Sequence, residues 1–259
     1  MPADMDARIP RPELIFFDVG NTLVRAHPSW SDVYLSACRA FGLDIEAPAL
    51  ERALAVALKA GFWDEHGPFD ASEDASYSQI KRFDETVMAE LGQHELPDAF
   101  YRHLWDAFAR ASAWHVFPDV LPCLEALAEA ALRRAVISNW VWGAPELLHD
   151  LDLARHFETL VISARVGYNK PHRGIFDHAL EFTGVAPERA IHVGDSYSAD
   201  VAGARSAGIT PVLIDRRHVD EWPELPIPDG DDVPVIRDLW GLLELIDLPV
   251  RASSEPSSG

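Results

Sequence analysis

The sequence predicts an α/β fold in which a doubly wound, Rossmann-like parallel sheet is interrupted after its first strand by an all-helical segment. In the second half of the chain, short apolar runs that end in a polar residue alternate with amphipathic helical stretches, as in parallel sheets covered on both faces. Between the first and second runs, the apolar residues follow helical spacing only. A chain of 259 residues also favours a core domain that carries a smaller second domain.

The predicted strands are short buried runs with a polar residue at the carboxyl end. They are LIFFD at 14–18, AVISN at 135–139, IHVGD at 191–195 and VLID at 212–215. Because parallel strands end at the same edge of a sheet, we expect their terminal polar residues to converge on one crevice.

The predicted helices are apolar stripes at helical spacing. They cover 30–41, 50–58, 77–91 and 100–111 in the helical segment, and 119–132 and 172–183 in the core. Gly184 follows the last of these and is expected to cap it. We therefore predict a helical domain at 25–115, a core domain at 12–24 and 116–248, and disordered tails at 1–11 and 249–259.

Composition restricts the function classes. A net charge of -20 and a pI near 4.8 argue against nucleic acid or an anionic membrane as a partner, since such binding needs Lys and Arg to neutralise phosphates. No apolar run reaches about 18 residues and the first residues are too polar for a signal peptide, so we expect a cytoplasmic monomer or homodimer. Cys38 and Cys123 are far apart in the sequence and predict buried, reduced thiols.

The strand ends bring together a set of polar residues. They supply Asp18, Ser138 with Asn139, and Asp195, and the loop VGYNKP supplies Lys170. Two carboxylates in one crevice repel each other unless a cation lies between them, and carboxylate oxygens suit Mg²⁺, which also binds phosphate. Taken singly, these residues are equally typical of helix caps, turns and surface loops. Together they predict a Mg²⁺ site.

In this order, the motifs resemble those of the haloacid dehalogenase-like superfamily across residues 13–245. The matching segments are FFDVGNTL with Asp18, VISNW with Ser138, VGYNKP with Lys170, and HVGDSYSADVAGARSAG with Asp195 and Asp200. The helical segment resembles the cap domain of the first subfamily. The segment DVGNTL, followed by His-Pro and a tryptophan-bearing helix, is similar to the rhythmically-expressed-gene-2-like branch.

The resemblance implies a Mg²⁺-dependent phosphatase that acts on a small phosphorylated metabolite. Asp18 would attack phosphorus to give an aspartyl phosphate, which water then hydrolyses. Ser138 and backbone N–H groups near Asn139 would bind the phosphoryl oxygens, and Lys170 would neutralise Asp18 and the phosphoryl group. The implied ligands of Mg²⁺ are Asp18, the carbonyl of Gly20 and Asp195, with Asp200 as a further ligand or as support.

One position departs from the family pattern. Phosphatases of this superfamily read Asp-x-Asp-Gly-Thr, whose second Asp is the general acid, whereas this chain has Gly20 there. Losing a positioned general acid commonly lowers a rate about 10²- to 10⁴-fold, so we expect slow turnover, a restriction to good leaving groups, or a replacement. Candidate replacements, each of which is equally typical of an ordinary surface or core residue, are His27, Asp32, His66 and His115.

Three alternatives stay open. A catalytically weak or inactive module that binds a ligand or a protein would also lack the acid. A 2-haloacid dehalogenase lacks the second Asp too, but it needs no metal and does not retain the pair found here as Gly194 and Asp195. A phosphonatase would need a lysine of the helical segment for a Schiff base. Lys59 could take that role, although a solvated helix end is the simpler interpretation.

Overall fold

The computed structural model of the protein describes residues 9–60, 67–217, 227–228 and 230–249. In chain order, the strands within these ranges are β1 Leu14–Phe17, β2 Val24–Ala26, β3 Trp114–Val116, β4 Arg133–Ser138, β5 Leu160–Ile162, β6 Ala190–Gly194, β7 Thr210–Ile214 and β8 Val235–Ile236. Six of these described strands form one sheet in the order β5-β4-β1-β6-β7-β8, and every pairing in it is parallel. The predicted α/β parallel-sheet fold is confirmed.

The three strands that were predicted to carry site residues lie side by side. β1 lies between β4 and β6, and Phe17 is level with Val136 on one side and Val193 on the other. All of β1 is buried, which explains its uninterrupted apolar sequence. Asp18 follows directly, and its N–H donates to the Val193 carbonyl at 2.8 Å. The carboxyl ends of β4, β1 and β6 therefore open on the same edge.

The α-helices in the described ranges account for each predicted helical stretch. They are α1 Trp30–Ala40, α2 Ala47–Ala60, α3 Glu73–Glu90, α4 Asp98–Phe108, α5 Val120–Glu129, α6 Ala144–Asp150, α7 Ser163–Val166, α8 Arg173–Thr183, α9 Gly203–Ser206 and α10 Leu239–Leu245. α4 and α5 end earlier than predicted. A short 3₁₀ turn takes up Ala111–Ala113, and Ala131 adopts a φ of 55°, which an α-helix cannot continue through.

Local sequence explains where several helices start and stop. Ser29 begins α1, because its hydroxyl accepts the N–H of Asp32 at 3.0 Å. Gly184 ends α8 with a φ of 65°, in the left-handed region that glycine tolerates. Within α8, Ile175 and Phe176 are fully buried in a cluster that includes Phe16 of β1. This helix therefore covers one face of the sheet.

Helices α1 to α4, which we call the helical insert, stand between β2 and β3. These two strands form an antiparallel ribbon in which Val24 is paired with Val116 and Ala26 with Trp114. The ribbon spans the positions at which the sequence predicted the domain boundaries. Its alternation buries Trp114 and exposes His115. The insert therefore leaves and rejoins the core at one place, next to the loop after β1.

Some elements were not predicted. β2, β3, β5 and β8 contain only two or three residues each, which is too short for a period to be recognised. Of the predicted tails, residues 1–8 and 250–259 lie outside the described residues. The N–H of Ile9 donates to the Leu245 carbonyl at 3.0 Å, so the packed structure begins before residue 11.

The cysteines and the helix lengths can also be compared with the sequence-based expectations. Cys38 and Cys123 are buried and unpaired, as predicted. Across the described ranges, every helix is too short or too polar to cross a membrane.

Candidate active site

The residues that end three neighbouring strands meet at one edge of the sheet. Asp18 follows β1, Ser138 ends β4 and Asp195 follows β6. The Ser138 hydroxyl donates to Asp18 Oδ1 at 2.8 Å, and only 7% of Asp18 is exposed. The doubly wound topology therefore delivers these groups to one crevice, as the strand ends predicted.

Lys170 enters this crevice from the loop between α7 and α8 and joins two carboxylates. Its Nζ donates to Asp18 Oδ1 at 2.6 Å and to Asp200 Oδ1 at 2.5 Å. Burial alone would favour the neutral amine, but the charges of Asp18 and Asp200 outweigh it and raise the pKa of Lys170. The lysine is thus held as a cation against Asp18.

One lysine does not balance the carboxylates around it. Burial raises the pKa of Asp18, with Lys170 opposing that shift. Burial, together with the charges of Asp18 and Asp200, raises the pKa of Asp195 well above its usual value. Oxygens of Asp18, Asp195 and Asp200 lie within 4.8 Å of one another. An all-carboxylate set with excess negative charge suits a hard divalent cation.

The loop after β1 lies beside the same carboxylates, and its Gly20 and Asn21 line the crevice with them. Gly20 and Val24 form an isolated bridge. The two hydrogen bonds of this bridge are made by the residues on either side of Gly20. The Val24 N–H donates to the Val19 carbonyl at 3.0 Å, and the Asn21 N–H donates to the Val24 carbonyl at 2.7 Å. The bridge therefore does not occupy the Gly20 carbonyl. Asn21 turns the chain with a φ of 50°, and its amide donates to Asp195 Oδ2 at 3.4 Å.

Asp200 is held from several sides. Besides Lys170, it contacts His192 Nε2 at 2.7 Å and accepts the Ser196 N–H at 2.9 Å. Burial opposes ionisation, yet Lys170 and His192 together hold the pKa of Asp200 below its usual range. A Cβ on Gly194 would lie 2.1 Å from Asp200 Cγ, so only glycine fits there. Asp200 thus binds Lys170, His192 and the Ser196 N–H. Of its two predicted roles, metal ligand or support, these contacts fit support better.

Asn139 fixes the lysine loop instead of pointing its side chain at a ligand. Its Nδ2 donates to the Lys170 carbonyl at 2.9 Å, and its Oδ1 accepts the Lys170 N–H at 2.6 Å. This pairing of side chain and backbone positions Lys170 against Asp18. The sequence placed Asn139 among the phosphate-binding residues. The carboxamide instead holds the backbone of Lys170.

A cavity of about 550 Å³ extends from this crevice into the helical insert. Asp18, Lys170, Asp195 and Asp200 line one end. Residues of α1 to α4 line one side of the remainder, and the loop after β4 together with α6 lines another; several of these side chains are aromatic. The size falls in the range of pockets that bind small molecules.

A tryptophan packs closely against the position of the missing acid. A Cβ built on Gly20 would lie 3.2 Å from Cζ3 of Trp140, tighter than most side-chain contacts. Trp140 is 9% exposed, and its ring lies 4.8 Å from that of Trp114, centroid to centroid. The indole would therefore have to shift by a few tenths of an ångström to admit a side chain at position 20.

The candidate replacement acids are not placed to serve as one. His27 and His115 are exposed with ring centroids 6.0 Å apart, because the ribbon's alternation turns His115 outward. Asp32 is held at the surface by the Ser29 hydroxyl, which donates to it at 2.7 Å. None of these three lines the cavity, and His66 lies outside the described residues. Lys59, the candidate Schiff-base lysine, is an exposed residue of α2 and does not line the cavity either.

Sequence reasoning missed two residues of the site. His192 is fully buried within β6, and a histidine in an otherwise apolar strand was the available signal for it. Trp140 directly follows Ser138 and Asn139, but its contact with Gly20 joins two different strand-end loops. Only the tertiary structure reveals such a contact.

Comparison with known proteins gives the same assignment as the geometry. The family described as "Hydrolase: haloacid dehalogenase-like hydrolase" matches residues 12–208. A relative from Xenopus laevis, named haloacid dehalogenase-like hydrolase domain-containing protein 3, is 28% identical over 229 residues, which cover 83% of this chain and 94% of that protein. A relative from Thermus thermophilus, named phosphoserine phosphatase, is 36% identical over 134 residues, half of each chain.

A solved structure shares the whole architecture. The crystal structure of a HAD phosphatase from Thermococcus onnurineus superimposes with a TM-score of 0.61 at 26% identity, covering 90% of this chain and 97% of that one. The family match extends over most of the chain, and the crevice holds the motif residues in the order in which the sequence presents them. The chain belongs to the haloacid dehalogenase-like hydrolases.

Proposed function

We propose that this hydrolase is a Mg²⁺-dependent phosphatase that cleaves phosphate monoesters of small molecules through a phosphorylated Asp18. The observation that carries the proposal is the contact of Asp18 Oδ1 with both Lys170, at 2.6 Å, and Ser138, at 2.8 Å. A carboxylate flanked by a cation and a hydroxyl donor suits attack on a dianionic phosphoryl group. The similar proteins from Thermus thermophilus and Thermococcus onnurineus are named as phosphatases, which agrees with the proposal.

The reaction would proceed by two displacements at phosphorus. A carboxylate oxygen of Asp18 forms a bond to phosphorus as the bond to the ester oxygen breaks, and the electron pair leaves with that oxygen. Water then attacks the same phosphorus, the bond to Asp18 breaks, and inorganic phosphate is released. In both steps, Lys170 and Ser138 stabilise negative charge on the phosphoryl oxygens.

Asp18, Asp195 and the Gly20 carbonyl would hold Mg²⁺, with Asp200 behind Lys170 as support. The bound cation would supply positive charge to the phosphoryl oxygens and relieve the repulsion among the carboxylates. The raised pKa of Asp195 agrees with this fit, since burial and the charges of Asp18 and Asp200 disfavour its ionised form when only Lys170 is there to compensate.

The leaving group would depart without a proton from position 20. Gly20 has no side chain to donate one, and the three described candidate replacements lie away from the cavity. Weakly basic leaving groups need little protonation, whereas alkoxides need it most. We therefore propose a preference for phenolic or acyl phosphates over alkyl esters of equal affinity.

The helical insert would serve as the cap that encloses the substrate. All four of its helices contribute to the cavity wall, and the ribbon β2–β3 is its connection to the core. Specificity would then reside in α1 to α4, while the chemistry stays at the ends of β1, β4 and β6. We also keep the expectation of a cytoplasmic protein.

A second candidate is a module that binds Mg²⁺ and a phosphorylated ligand without turning it over. The observation that favours it is Trp140, which packs closely against the position of the missing acid. Such a protein would bind phosphate esters without phosphate release.

The test is hydrolysis of acetyl phosphate, whose leaving group needs no acid. We expect phosphate release with Mg²⁺, none in EDTA and none in Asp18→Asn, whereas Asp177→Asn, an exposed carboxylate on α8, should behave like the wild type. Full activity in contaminant-free Asp18→Asn would refute the proposal. Binding without turnover in the wild type would favour the second candidate, and chloride release from 2-chloropropionate would favour a dehalogenase.

A further inference from the structure

The cavity is far larger than a phosphoryl group requires. It begins at Asp18 and Lys170 and continues without interruption into the helical insert, with a volume of about 550 Å³. The phosphoryl group would occupy only the end that holds the carboxylates. The remaining space is therefore open to the rest of the substrate, and its walls define what that part can be.

Those walls are mainly aromatic and aliphatic. Trp140 contacts Trp114 with centroids 4.8 Å apart, and Trp30 lies 4.9 Å from Phe108 and 5.8 Å from Trp114. This aromatic series runs from beside Gly20 into the insert. Aliphatic side chains from α2 and α4, including Leu54, Leu58 and Leu104, also line the space. A ligand group there would exchange water for rings and methyl groups.

The charges around the cavity exclude a second anion. Among the lining residues in the described part of the chain, Lys170 is the one cation, and Asp18 and Asp200 already engage it. The other charged lining residues are acidic: Glu73, Asp84, Glu146, Asp150 and Asp195. Asp84 is paired with Tyr34 and Glu146 with Arg165. A carboxylate or second phosphate on the substrate would nevertheless find no unpaired cation among these lining residues and would meet the carboxylates of Glu73 and Asp150.

The polar groups deepest in the insert are already paired. The Tyr34 hydroxyl donates to Asp84 Oδ1 at 2.5 Å, and both residues are buried. Their pairing leaves the tyrosine proton unavailable to a ligand. Sugar or polyol hydroxyls placed among the rings would lose water without gaining the Tyr34 proton, whereas hydroxyls beside Glu73 or Asp150 could donate to a carboxylate. The aromatic and aliphatic part of the wall therefore favours an apolar group.

From this cavity, and resting on the phosphatase function proposed above, we infer that the substrate is the phosphate monoester of a large apolar alcohol or phenol. Its organic part would carry an aromatic ring or a hydrocarbon group of similar size, and it would carry no anionic group besides the phosphate. The names of the phosphoserine and glyceraldehyde 3-phosphate phosphatases among the relatives imply smaller, polar substrates. The match to each of them covers only half of this chain.

The test compares non-hydrolysable phosphonates as competitive inhibitors of acetyl phosphate hydrolysis in Mg²⁺. The three inhibitors are 2-phenylethylphosphonate, 2,3-dihydroxypropylphosphonate and 2-carboxyethylphosphonate. Because no bond of the inhibitor breaks, the missing general acid has no influence on the comparison. We expect the phenylethyl compound to bind at least about tenfold more tightly than the dihydroxypropyl compound, and the carboxyethyl compound to bind most weakly.

The outcomes separate this inference from the function on which it rests. Three outcomes would overturn the inference but not the proposed phosphatase function. They are equal inhibition by the phenylethyl and dihydroxypropyl compounds, tighter binding of the dihydroxypropyl compound, and no inhibition by the phenylethyl compound. Failure of the wild type to hydrolyse acetyl phosphate would overturn the proposed function and this inference with it.

A pair of variants on one helix locates the preference in the cavity. Leu58 lines the cavity from α2, whereas Val56 on the same helix is 46% exposed and does not line it. Leu58→Lys should reduce the preference for the phenylethyl compound and strengthen inhibition by the carboxyethyl one. Val56→Lys should leave both at wild-type values. Leu58 is half-buried, so the longer side chain can reach solvent; circular dichroism would verify that both variants fold. A preference unchanged in folded Leu58→Lys would place the apolar group elsewhere and contradict the inference.

Discussion

Trp140 lies against Gly20, where the general acid of related phosphatases would begin: a Cβ on Gly20 would lie 3.2 Å from Cζ3 of the indole. Gly20 is not among the residues with positive φ, so backbone strain does not prevent a larger side chain there. The obstacle is the tryptophan. We therefore expect an acid at position 20 and the indole at position 140 to compete for space.

Restoring the acid should consequently need two changes. Gly20→Asp alone should give little gain on alkyl phosphates, because its side chain begins against the indole. Gly20→Asp combined with Trp140→Leu should raise alkyl-ester turnover about 10²-fold or more relative to Trp140→Leu. Steady-state rates on an alkyl ester and on acetyl phosphate measure the gain. A full gain from Gly20→Asp alone would show that Trp140 moves aside.

Lys170 should be essential for stability when no metal is present. Lys170→Met leaves Asp18 and Asp200 without their counter-cation, and breaking a buried ion pair in this way typically costs about 3–5 kcal/mol. Urea unfolding in EDTA measures the loss, and Mg²⁺ should restore part of it. Lys81→Met is the matched control, since Lys81 pairs with Asp98 at the surface and should change stability by less than about 1 kcal/mol. Equal effects of the two substitutions would contradict the account of Lys170.

Metal binding should be visible without any substrate. A ligand that binds only the folded state raises its melting temperature, so Mg²⁺ should raise that of the wild type. Asp195→Asn should remove most of this increase, because it deletes one of the three clustered carboxylates. Asp177→Asn should retain it. An undiminished Mg²⁺ effect in Asp195→Asn would move the cation away from the predicted ligands.

Asp84 should make stability depend on pH. Burial raises the pKa of Asp84 to about 7 from an ordinary value of 3.8, so between pH 4 and 7 the folded state keeps a proton that the unfolded chain has released. The contribution of Asp84 to the free energy of unfolding is therefore fully present below the unfolded pKa of 3.8 and is lost as pH rises through the folded pKa of about 7. The loss amounts to roughly 4 kcal/mol at most.

Asp84→Asn keeps an acceptor for Tyr34 and removes the titration. The variant should therefore become more stable relative to the wild type as the pH rises from 4 to 8. Denaturant unfolding across that range measures the difference, with Glu51→Gln, an exposed carboxylate on α2, as the control. A difference that stays constant with pH would mean that Asp84 titrates normally.

Much of this architecture could be predicted because buried parallel strands leave a clear sequence signal. Asp18, Ser138 and Asp195 each end an apolar run, and the topology that joins such runs brings their ends together. The helical insert was equally legible, because α1 to α4 carry strong apolar stripes. Asp18, Ser138 and Asp195 were recognised as a set because they share this position at the ends of predicted strands.

The rest depends on contacts that a pattern does not contain. Asp84 lies on α3 beside the buried residues Phe83 and Val87, but an aspartate in a helix is usually exposed. The contact between Trp140 and Gly20 joins two loops, and the ribbon strands are too short to show a period. These features set the shape and charge of the cavity, so specificity was less predictable than chemistry.

The claim that Asp18 becomes phosphorylated is tested most directly by trapping the intermediate. Protein turning over acetyl phosphate with Mg²⁺ is quenched in acid and treated with borohydride, which reduces an acyl phosphate to an alcohol, and the digest is examined by mass spectrometry. We predict that position 18 is recovered as homoserine, in an amount that depends on substrate and Mg²⁺. Continued phosphate release with no reduced residue at position 18, or with reduction at another carboxylate, would contradict the account.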